Sequence, residues 1–110
     1  MNATFGVLAK RRPSWPTPAA LLGELADQLY DHSLEVVIYQ RHFQVVAVTV
    51  CWPSQRDRAV TIISVERGDD REIWFATGTT TGDLTGDTEL IAPATPLWDA
   101  VQAVRGRLRR

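Results

Sequence analysis

A chain of 110 residues, 45% hydrophobic and 23% charged with a formal net charge of −1, has the make-up of one globular domain. The single cysteine, Cys51, excludes an internal disulfide framework and makes a reducing compartment the expectation. No apolar run approaches the ~20 residues of a membrane span, and Met1 to Trp15 lacks the apolar centre and cleavage site of a signal peptide, so the expectation is a soluble, cytoplasmic protein without a membrane partner.

Met1 to Pro16 has no sustained periodicity and ends among Pro13, Pro16 and Pro18, so residues 1–16 read as an arm and 17–110 as the domain. Thr17 followed by Pro18 is a helix start: the hydroxyl caps an orphan N–H, and proline at the first helical position lacks an N–H that would be unpaired anyway. Leu21, Leu22, Leu25, Ala26 and Leu29 then recur at helical spacing, predicting a helix to about Tyr30 or His32. From Leu34 to Trp52 the chain turns to β-branched and aromatic residues over a length that exceeds one strand, and it should fold back between Gln40 and Gln44. In the second of these strands Val46, Val48, Val50 and Trp52 share one parity and Val45, Ala47, Thr49 and Cys51 the other, so both faces are largely apolar.

After a polar turn at 53–58, Ala59 to Arg67 reads as a strand, Gly68-Asp69-Asp70 as a turn, and Glu72 to Thr77 as the next strand. Gly78 to Asp87 is a glycine- and threonine-rich loop, and Glu89 to Ala92 offers a short edge strand. Thr95 and Pro96 repeat the Thr-Pro start, followed by the stripe Leu97, Val101, Val104 and Leu108, with Trp98 beside it and expected against the sheet. The predicted fold is α+β: a helix, an antiparallel meander of four strands, or five if the edge strand forms, and a second helix, both helices on one sheet face. The opposite face then needs cover, from the arm or from another chain, because large apolar patches are rare on soluble monomers.

Three constellations compete for a function. The apolar strand offers Val46, Val48, Val50 and Trp52 as an interface. The loop offers Gly78, Gly82, Asp83, Gly86 and Asp87 as a partner contact; it lacks the Gly-Lys-Ser/Thr ending of a phosphate loop, and its acids match no calcium-loop spacing. Both ends are basic: Lys10, Arg11 and Arg12 precede the first acid, and Arg105, Arg107, Arg109 and Arg110 follow the last, an asymmetry that suits nucleic-acid contact. The aromatic pattern of RNA-binding sheets is absent.

The remaining features read as structure. Glu24, Asp27 and Asp31 form an acidic stripe expected to face solvent, and His32 and His42 fall in no spaced zinc-ligand set. A Cys51–His42 pair would need a third group to orient the histidine, and none is placed for it. The sequence therefore points to a non-catalytic protein–protein interaction or adaptor module, without cofactor or metal, that forms a homodimer or binds a partner protein through its sheet. The alternative is a nucleic-acid-associated accessory protein using the basic ends, and behind it a small enzyme or ligand-binding domain using the 78–87 loop.

Overall fold

The computed structural model describes residues 17–109, and the N-terminal arm lies outside them. Helix α1 (Pro18–Asp31) leads into β1 (Glu35–Arg41), β2 (Gln44–Cys51), a 3₁₀ turn at Arg56–Arg58, β3 (Val60–Arg67), β4 (Glu72–Thr77), β5 (Leu90–Pro93) and helix α2 (Leu97–Leu108). The strands form one antiparallel sheet in the order β1-β2-β3-β4-β5, so the fifth strand is present.

Helix α1 begins as its sequence dictates. Thr17 sits in extended conformation and its Oγ1 accepts a hydrogen bond from the Ala20 N–H at 3.1 Å. The face formed by Leu21, Leu22, Leu25, Ala26 and Leu29 is buried against the sheet, each leucine contributing roughly 1.5–3 kcal/mol. At the other end the His32 N–H reaches the Gln28 and Leu29 carbonyls, and Ser33, at φ 69°, swings the chain round so that Leu34 is buried beneath the helix end. Helix α2 departs from the expected start. Pro96 is extended and is itself the N-cap, so Thr95 lies one residue too early to cap the helix and no side chain does so.

One continuous core binds both helices to the same sheet face: the α1 leucines, Ala100, Val101, Val104 and Leu108 of α2, and Val48, Val50, Ile62, Phe75 and Ala92 from the strands. Partly buried Val36, Val45 and Trp52 pack against this core. Trp98 is not among them; it is 57% exposed, with its ring 5.9 Å from that of His32.

The expected parity of β2 is broken by a bulge. Tyr39 pairs with Ala47 and Gln40 with Val45, leaving Val46 as the extra residue. Val48 and Val50 therefore face the helices with Val45, while Val46 joins Ala47, Ile63 and Ala76 on the opposite face. Ala47, Ile63 and Ala76 are almost completely buried, although no helix lies over them. The Gly78–Asp87 loop supplies cover there. The Gly78 N–H donates to the Thr61 carbonyl, a Cβ on Gly78 would fall 2.6 Å from Ile63 Cδ1, and one on Gly82 would fall 3.0 Å from the Val46 oxygen. Backbone packs directly on the sheet because these two positions carry no side chain.

Candidate functional site

The sequence-derived interface residues divide between the two faces. Val48 and Val50 have no exposed surface and lie beneath the helices; Trp52 packs on the same core, and Val46 is half-buried under the loop. They do not form one presented surface, and a charge at Val48 would probe the core.

The 78–87 loop is held by its own hydrogen bonds. The Thr79 N–H donates to the Asp83 carbonyl, the Gly82 N–H to the Thr79 carbonyl and the Asp83 N–H to Thr79 Oγ1, each at 3.0 Å. Thr81 Oγ1 donates to Asp83 Oδ2 at 2.7 Å, and the Asp87 N–H donates to Thr85 Oγ1. The Thr79, Gly82, Asp83 and Asp87 amides, which could otherwise turn to a phosphate, already have partners inside the loop. Gly86 and Asp87 are exposed, with open space around the Gly86 Cα. Among the described residues no group of three His, Cys, Asp or Glu is placed to hold a metal.

Of the basic ends, Arg11, Arg12 and Arg110 lie outside the described residues. Arg107 bonds to Glu89 across the gap between α2 and β5, Arg105 is half-buried, and Arg109 is exposed beyond the helix end. The α2 arginines thus do not form one open stripe. His42 occupies the β1–β2 turn while Cys51 ends β2, so the whole strand, roughly 25–30 Å at about 3.3 Å per residue, separates them. Glu24, Asp27 and Asp31 are exposed along α1.

Among the described residues one sheet edge is open, a feature that periodicity did not single out. Strand β1 ends the sheet, and among the described residues no backbone hydrogen bond reaches it from its outer side. It runs seven residues without proline or glycine, its charges confined to Glu35 and Arg41 at the ends, with Val37 52% and Ile38 44% exposed between them. The opposite edge differs: β5 has four residues, ends at Pro93, and is flanked by α2. Short edges and prolines are common protections against strand pairing, and β1 has neither; α1 packs against its inner face, as α2 does on β5.

Two details shape this edge. The β1–β2 connection is a two-residue turn whose central residues, His42 (φ 53°) and Phe43 (φ 65°), both lie in the left-handed region that Asn-Gly pairs usually fill. Phe43 is completely exposed at its tip. At the other end, Arg56 grips Glu35 with two hydrogen bonds, Nε to Oε1 at 2.9 Å and Nη2 to Oε2 at 2.7 Å. The hydrogen bonding of Arg56 holds the Glu35 carboxyl below the usual carboxylate range, so Glu35 stays charged and fixed beside the edge at neutral pH. Ordinary edge-strand logic applied to the meander would have found β1. The exposed turn phenylalanine had no signal beyond its place in the predicted break.

Comparison with protein-family models, curated proteins and solved structures finds no match, so the surface is read from its own chemistry.

Proposed function

We propose that the protein is a non-catalytic protein–protein interaction module that self-associates through its sheet, along the open edge of β1. The observation that carries this reading is a seven-residue edge strand with two half-exposed aliphatic side chains at its centre and a fully exposed phenylalanine at the adjoining turn. Such an edge offers a row of N–H and C=O groups that a second strand satisfies, while its apolar side chains supply the favourable area. The 78–87 loop belongs to the packing of the domain in this reading, and the basic ends are secondary.

The test is the solution mass by light scattering after size exclusion, across protein concentration and at low and high salt. The expected result is a concentration-dependent dimer that persists at high salt, because backbone hydrogen bonds and apolar contact dominate the seam. The mass of a single chain at every concentration would overturn the proposal.

A further inference from the structure

Resting on that reading, we infer that the edge is built to pair with itself: two copies join their β1 strands antiparallel about a two-fold axis through Ile38, making one continuous ten-stranded sheet. The strand reads Glu35-Val36-Val37-Ile38-Tyr39-Gln40-Arg41, with Ile38 at its centre. Antiparallel pairing centred on Ile38 sets Glu35 opposite Arg41, Val36 opposite Gln40 and Val37 opposite Tyr39, with Ile38 against its own copy. The only two charges of the strand are opposite in sign and equidistant from its centre, so this register forms two charge pairs at once. Cross-strand pairs of opposite charge stabilise a sheet, and like charges in the same position destabilise it.

The faces agree as well. Glu35 pairs with Cys51 and Val37 with Thr49 inside the chain, while Tyr39 pairs with Ala47 and Arg41 with Gln44, which puts all four β1 side chains on the face away from the helices. Glu35 and Arg41 of the two copies therefore meet on that one face, beside the Val37–Tyr39 contacts. Ile38 pairs with Val48 and so faces the helix side, where its exposed half meets the same residue of the second copy. Both Glu35 oxygens already accept from Arg56, so in this register Glu35 is shared between Arg56 and Arg41 of the second copy; among the described residues Arg41 takes part in none of the ion pairs.

Phe43 stands fully exposed at the tip of the turn that closes β1 onto β2, beside the end of the seam that Arg41 forms.

The experiment mixes two charge variants. Arg41→Glu alone sets Glu35 against a carboxylate at both ends of the seam, and Glu35→Arg alone sets Arg41 against a guanidinium at both ends. Each should weaken self-association about tenfold, while an equimolar mixture forms a heterodimer in which every pair is again Glu against Arg, at close to wild-type affinity. Circular dichroism is the check that each variant is folded. A second measurement does not depend on charge: in a Cys51→Ser background, Ile38→Cys should cross-link to its own copy on mild oxidation, since directly opposed Cα atoms lie about 4.5–5.5 Å apart. Gln40→Cys should not, because position 40 of one copy stands four residues, about 13 Å, from position 40 of the other.

A dimer that neither responds to mixing nor cross-links at position 38 overturns this register and leaves self-association to another surface. A wild-type chain that stays single overturns the register and the broader reading together. Recovery on mixing, with cross-linking at 38 and none at 40, establishes the inference.

Discussion

Phe43 holds a backbone conformation that side-chain-bearing residues adopt at a cost of roughly 1–2 kcal/mol, and its ring is wholly exposed. Folding alone would favour glycine there. Phe43→Gly is accordingly expected to stabilise the single chain by about 1 kcal/mol, read from urea unfolding at low concentration, and to weaken self-association in light scattering. A stabilised variant with unchanged association would show that the ring has no part in the seam. Sequence reading located the turn between Gln40 and Gln44 but left its type open, because neither His42 nor Phe43 carries the Asn-Gly signature that fixes one.

At the scale of elements, the glycine loop and the β2 bulge act together. The bulge turns Val46 toward the face without helices, and the loop lies on it, with Gly82 at φ 88° close to the Val46 backbone. Three substitutions separate packing from mere flexibility. Gly82→Ala combines a left-handed backbone with a close contact and should cost about 1–2 kcal/mol; Gly78→Ala must displace the Ile63 side chain and should cost about 1–3 kcal/mol. Gly86→Ala meets open space and should fall within about 0.5 kcal/mol of wild type in the same denaturant measurement. Equal costs at all three positions would contradict the loop's placement on the sheet.

Element order was legible because each signal was local: Thr17-Pro18 for a cap, leucines at helical spacing for α1, β-branched runs for β1 to β4. The bulge was not legible, since Val45, Val46, Ala47 and Val48 are chemically alike and an inserted residue in such a run leaves no mark on the pattern. Nor was the loop's role, because glycine signals backbone freedom and close approach with the same letter. Thr95-Pro96 misled for the opposite reason: the Thr-Pro signature is present, but Pro96 itself takes the capping position and leaves Thr95 outside the helix.

For the whole molecule, the two sheet faces are answered by different parts of the chain. Both helices take one face, the loop takes the centre of the other, and among the described residues the outer edge of β1 has no backbone partner. The place of Val48 and Val50 was not legible, since they have the composition of a contact surface and the position of a core. Pairing along β1 is tested most directly by amide hydrogen exchange, strand by strand, at low and high protein concentration. Exchange along β1 is expected to slow as concentration rises while the 78–87 loop and β5 remain unchanged. A sample with the mass of a dimer and β1 exchange independent of concentration would contradict it.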